Sequence, residues 1–156
     1  FNFPRPLLKS KDCNFSFSGL KTALIREAKS IEPLGREDLA DLASSYQEAI
    51  VDCLTVKSDM AIARVKAEYG DLDIKYFVAS GGVASNKAIR DSLTTLAENN
   101  KMEFIAPPIK LCTDNAAMIA WAGGLRLLSG QRDSLDIPTK ARWPLAEMKL
   151  YGDRHE

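Results

Sequence analysis

The sequence predicts an α/β domain, and three observations carry that expectation. Two short runs rich in β-branched and aromatic residues, "IKYFVAS" (74–80) and "MEFIAPP" (102–108), each precede a segment of helical composition. The stretch 36–70 places Leu39, Leu42, Tyr46, Ala49, Ile50, Cys53, Leu54, Ala61 and Val65 at spacings of three and four, the period of a helix with one apolar side. The paired glycines of "SGGVASNKAIR" (80–90) stand where an apolar run ends and a helix begins. Strand, helix, strand, helix in this order implies a layered sheet with right-handed crossovers.

The elements follow in chain order. Pro4 and Pro6 keep the opening residues extended or irregular. "NFSFSGLKTALIREAKS" (14–30) reads as a helix capped by Ser16 or Ser18, with Leu20, Leu24 and Ile25 on one side, and Pro33 and Gly35 end it. The next helix opens with Glu37 and Asp38, which the helix dipole favours in a first turn, and stops at Gly70. It is long for a globular domain and spans one face of the fold. "IKYFVAS" reads as a buried strand. "SNKAIRDSLTTLAENN" (85–100) is a helix with Ile89, Leu93 and Leu96 inward, and "MEFIAPP" is a second strand halted by Pro107 and Pro108. "TDNAAMIAWAGGLRLLSG" (113–130) closes the pattern as a helix with Thr113 or Asp114 as its cap. Its small residues suit close packing in a crowded core.

Composition narrows the function classes. The chain has 156 residues, 46 % of them hydrophobic and 27 % charged, with a formal net charge of zero. This is the make-up of a soluble globular protein with no global pull toward nucleic acid. Lys9, Lys11, Lys21, Arg26 and Lys29 leave room for a local basic patch. No run approaches the roughly 18 apolar residues of a membrane span. "FNFPRPLLKS" is no signal peptide and lacks an initiator Met, so a piece of a longer chain is expected. Three scattered cysteines, Cys13, Cys53 and Cys112, argue against a disulfide framework and fit a reducing cytoplasm. The single histidine, His155, is next to last and carries no expected catalytic role, which excludes a Ser/His/Asp protease.

The glycine pair is the first candidate site. Without Cβ atoms, Gly81 and Gly82 permit positive φ and the close approach of a ligand. The following helix offers N–H groups and the positive end of its dipole to a phosphate, with Ser85 or Asn86 adding a side-chain bond. Ligands are expected at this end of a strand in an α/β sheet. The same residues also suit a plain strand-to-helix corner in which Asn86 satisfies only its own helix start. Asp114 likewise reads from its position as an ordinary helix cap.

"FSFSGLKTA" (15–23), "SGGVASN" (80–86) and "CTDNAAMIAWAG" (112–123), followed by "ARWPL" (141–145), together resemble the TsaD family, the tRNA adenosine threonylcarbamoyltransferases formerly called O-sialoglycoprotein endopeptidases. The resemblance leaves only "YGDRHE" unmatched and covers about the second half of the family's chain. It implies an actin-like ATPase fold of the sugar kinase and Hsp70 type, RNase H-like, with additional helices. The chain is then a fragment of a two-domain protein: 1–35 a family-specific helical segment, 36–150 most of the second α/β domain, and 151–156 a tail. The implied activity moves a threonylcarbamoyl group from threonylcarbamoyl-AMP to N6 of adenosine 37 in tRNAs reading codons that begin with A.

The resemblance also implies a bound metal, usually iron, with Asp114 as one ligand and two histidines of a His-x-x-x-His motif that this sequence lacks. Asn86 matches the residue that holds the adenylate, and Gly81 and Gly82 match the turn beside the nucleotide. Implied partners are tRNA, the adenylate and the other subunits of the modification complex. The isolated chain is expected to be inactive and prone to dimerise. Two alternatives stand beside this: an ATP-dependent sugar kinase or Hsp70-like ATPase domain, and a non-catalytic partner subunit. Ser16, Ser18 and Lys21 either touch tRNA or substrate, or cap and pack a helix.

Overall fold

The computed structural model describes residues 1–70, 73–136 and 141. "ARWPL" beyond Ala141, the tail "YGDRHE" and His155 lie outside the described residues. The chain divides into two units, one from Phe1 to Asp114 and the other beginning at Asn115. The segment 1–35 thus shares a unit with the α/β elements, and the boundary near the C-terminal end falls at 114/115.

The spine of the first unit is the long helix. After α1 (Leu20–Ser30), α2 runs Arg36–Tyr69, 34 residues, or about 51 Å at 1.5 Å per residue. The Asp38 carboxylate accepts the Gly35 N–H at 2.9 Å, and Gly70 closes the far end. The two halves of α2 serve different clusters. Toward its start, Leu42 and Ala49 pack with Phe3 and Leu20. Toward its end, Ile62 packs with Ile89, Leu93, Leu96, Ala97 and Met102. Ile50 packs against both clusters. Leu39, expected on the apolar stripe, is 54 % exposed and belongs to neither cluster.

Residues 1–14 are irregular, as the prolines predict, yet they are fastened to α2. Arg5 donates to Asp52 through Nε at 2.9 Å and pairs with it through Nη2 at 2.8 Å. Lys57 is 1 % exposed. Its ammonium donates to Ser10 O, Ser10 Oγ and Asp12 O, each at 2.8 Å, which satisfies all three of its donors. A charge leaves water at tolerable cost only under such conditions.

The expected Ser16 or Ser18 cap of α1 is not formed. Gly19 is the capping residue, at φ 79° and without a side-chain bond, because only a residue tolerant of the left-handed region fits there. The Ser16 hydroxyl instead accepts the Ser18 N–H at 3.2 Å. Leu20 is fully buried and Leu24 half-buried, whereas Ile25 is exposed.

The sheet is short and parallel. β1 (Tyr76–Val78) and β2 (Glu103–Ile105) pair Tyr76 with Glu103, Phe77 with Phe104 and Val78 with Ile105. Their connection is a 3₁₀ turn (Gly82–Ser85) and α3 (Lys87–Asn99). Phe77 and Phe104 face the α2–α3 cluster. The reading of the first strand as buried needs correction: Tyr76 and Val78 are 54 % and 62 % exposed. With period-2 alternation they point away from the α2–α3 cluster. Lys101 ends α3 in the left-handed region at φ 60°, with Met102 N–H donating to Ala97 O at 2.8 Å. After β2 a second 3₁₀ turn (Ile109–Leu111) leads to Cys112.

In the second unit, α4 spans Ala116–Leu128. Its cap is Asn115, whose side chain accepts Met118 N–H at 2.9 Å. Thr113 and Asp114, the expected caps, do not fill that position. No residue of α4 is buried, contrary to the crowded core its small residues suggest. Among the described residues of its own unit, no second element is present to bury it.

Candidate functional site

β1 and β2 are parallel, so both chain segments leave the sheet at the same edge. From one strand comes the glycine turn, and from the other the loop that ends in Asp114. The last ladder bond runs from Ala79 N–H to Ile105 O at 3.0 Å. Beyond it no backbone hydrogen bond joins the two segments among the described residues.

Gly81 takes φ 92°, a region that disfavours any residue with a side chain. Space around both Gly81 and Gly82 is open, since a Cβ built on either meets nothing within 4 Å. Gly82 has no positive φ, and its residue begins the 3₁₀ turn rather than α3 itself. The expected direct step from strand into helix is therefore interrupted by one tight turn. Within it, Ala84 N–H donates to Gly81 O at 3.0 Å, and the Ser85 hydroxyl donates to Gly82 O at 2.6 Å.

Asn86 caps α3. Its Oδ1 accepts Ile89 N–H at 3.1 Å, and its Nδ2 donates to Gln47 Oε1 at 2.8 Å. Asn86 thus satisfies its own helix start and also reaches α2. One Nδ2 hydrogen and one Oδ1 lone pair remain unaccounted for by these two bonds. Gln47, on α2, is a neighbour of the site that sequence reading missed, since its partner is 39 residues away.

Asp114 is exposed. With Asn115 acting as cap, no hydrogen bond or ion pair engages the Asp114 carboxylate among the described residues. It follows Cys112 by two residues, so its Cα lies within about 7 Å of that cysteine's. Cys112 is buried.

Arg90, on the first turns of α3, joins the two segments. Its Nε donates to Ala84 O in the glycine turn, and its Nη2 donates to Pro107 O at 2.6 Å and to Cys112 Sγ at 3.1 Å in the loop. No carboxylate pairs with it among the described residues. Sequence reading missed Arg90 as well. "NKAIRDSL" shows an arginine on a helix, and nothing local marks its acceptors.

Among the described residues no group of three or more His, Cys, Asp or Glu side chains converges as a metal site. Ser18 and Lys21 are exposed. No described helix is long and apolar enough to cross a membrane.

A family model described as tRNA N6-adenosine threonylcarbamoyltransferase, TsaD, matches residues 1–121. Curated proteins of that name are similar across the chain. One from Sinorhizobium medicae is 48 % identical over 151 residues, which is 96 % of this chain and 42 % of that protein. One from Zymomonas mobilis subsp. mobilis is 49 % identical over 142 residues, 91 % of this chain and 38 % of that protein. One from Brucella anthropi is 46 % identical over 147 residues, 94 % of this chain and 41 % of that protein. The sequence therefore spans about two fifths of the length of the curated relatives it matches.

Proposed function

The chain belongs to the TsaD family, and from that premise we propose that it supplies one wall of a site for threonylcarbamoyl transfer to N6 of adenosine 37 in tRNA. On this reading its strands and α3 are part of an actin-like ATPase domain, which residues outside this chain complete. The kinase and chaperone alternatives receive no support from a family match that names the transferase. The observation that carries the proposal is the common sheet edge of the glycine turn and the Asp114 loop, bridged by Arg90.

In the proposed reaction the adenine amino nitrogen attacks the carbamoyl carbon of threonylcarbamoyl-AMP. The bond from that carbon to the phosphate oxygen breaks, AMP leaves with the electron pair, and the amino group loses a proton. The 81–86 turn would seat the AMP portion, with open space over Gly81 and Gly82 admitting it. The unpaired charge of Arg90 behind the turn favours an anion there. Asn86 would use its remaining hydrogen or lone pair to orient the ribose or base. The contribution of this wall is chiefly positioning.

Iron or another divalent ion would take Asp114 as one ligand. A single carboxylate is not a metal site, and the described residues offer no second ligand beside it. They do not by themselves fit the group. The isolated chain is accordingly inactive on this proposal, and its partners are tRNA, the adenylate and the other subunits of a modification complex.

The test uses the full-length protein. Asn86→Ala removes both the helix cap and the amide, while Asn86→Asp keeps the cap and removes the donor. Both weaken AMP binding by on the order of 1–3 kcal/mol, and Asn86→Ala, which loses the cap as well as the bond to Gln47, lowers thermal stability more than Asn86→Asp. Unchanged AMP affinity in Asn86→Asp contradicts the assignment. Asp114→Ala abolishes tRNA modification and lowers bound metal; normal values for both contradict the role of Asp114.

A further inference from the structure

The strand ladder ends before the glycine turn and the Asp114 loop are reached, so another group must keep the two segments in step. We infer that Arg90 is a positioning residue that holds the 81–86 turn and the 107–112 loop at one separation, so that a nucleotide on the turn meets Asp114 at a constant distance. The inference rests on the proposed site.

Four features support it. Arg90 addresses three acceptors from two segments: Ala84 O on one side, Pro107 O and Cys112 Sγ on the other. Those acceptors are 6, 17 and 22 residues away, so the contacts are tertiary and not part of helix formation. The guanidinium is planar and rigid, and its Nε and Nη2 hydrogens point in fixed relative directions, which transmits a displacement of one segment to the other. Its base is equally firm, because Ile89 and Leu93 on the same helix are 5 % exposed and belong to the main cluster.

A lysine at this position cannot reproduce the arrangement. Its ammonium is a single point on a flexible stem, and it reaches one segment at a time. Arg90→Lys therefore retains charge while uncoupling turn from loop. Cys112→Ala removes the sulfur acceptor, together with the thiol's own weak contacts to Pro107 O and Pro108 O, and leaves the bond from Arg90 to Pro107 O.

The experiment is hydrogen exchange followed by mass spectrometry on the full-length protein, with and without AMP. In the parent protein AMP slows exchange in both 81–86 and 107–114. Arg90→Lys keeps the slowing at the turn and loses it, several-fold, in the loop. Cys112→Ala loses part of it, which supplies the readout if the arginine variant does not fold. A merely structural role would speed exchange in both segments whether or not AMP is present. Loop slowing that survives in Arg90→Lys, or that is untouched in Cys112→Ala, overturns the coupling while leaving the site intact. Absence of AMP-dependent slowing at 81–86 in the parent protein overturns the site and the coupling with it.

Discussion

Lys57 shows how far a single residue departs from its sequence context. On an amphipathic helix a lysine reads as solvated surface, yet here it is 1 % exposed and bound to two backbone carbonyls and a hydroxyl. Its acceptors lie 45 and 47 residues away, so no local pattern announces them. Lys57→Met leaves those acceptors without their donor and is expected to lower stability by roughly 1–3 kcal/mol, read from a denaturant midpoint. An unchanged midpoint would mean that water replaces the ammonium without penalty.

Cys53, four residues earlier, carries the pH dependence. Burial first, and then the neighbouring Asp52 charge, push its thiol above the ordinary value of 9.0. The folded protein then holds a proton that the unfolded chain releases, so stability falls as pH rises past about 9. Cys53→Ala removes that part of the decline, which urea midpoints at about pH 8 and about pH 10 measure in both proteins. The same decline in both would contradict the account. Asp12 has the opposite sign. The Asn14 N–H above all holds its carboxyl below 3.8, so its contribution is present above that value and is lost as pH falls through the depressed one.

At the scale of elements, most of what was legible came from local chemistry. Glu37, Asp38 and Gly70 bracket α2, and Asn86 opens α3, because end groups and dipole are satisfied by near neighbours. The misses also have local causes. Gly19 displaced the serines from the cap of α1, and Asn115 displaced Thr113 and Asp114 from that of α4, since several adjacent residues suit a cap and backbone geometry selects one. Exposure of Tyr76, Val78 and the whole of α4 was not legible, because an apolar pattern states that a face can be buried without stating by what. Arg90 and Gln47 were missed for the same reason as Lys57: their partners are distant in sequence. One element-scale prediction follows from Lys101, which holds φ 60° at the end of α3. Lys101→Gly relieves a left-handed conformation and raises stability by about 0.5–1 kcal/mol. A lower melting temperature would show that the Lys101 side chain contributes more than its backbone costs.

For the molecule as a whole, the exposed Tyr76 and Val78 on the sheet and an α4 without a buried residue describe a chain whose apolar surfaces want partners. The isolated 156 residues are predicted to self-associate, and sedimentation of a clean monomer without hydrophobic-dye binding would count against this. The central claim concerns the edge of the sheet, where Gly81–Asn86 and Asp114 are proposed to share one adenylate site. A crystal structure of the full-length protein with AMP tests it most directly. The account predicts the nucleotide between the 81–86 turn and the 107–114 loop, its phosphate against the glycines. AMP bound away from both segments, with the turn and Asp114 opening onto different faces, would contradict it.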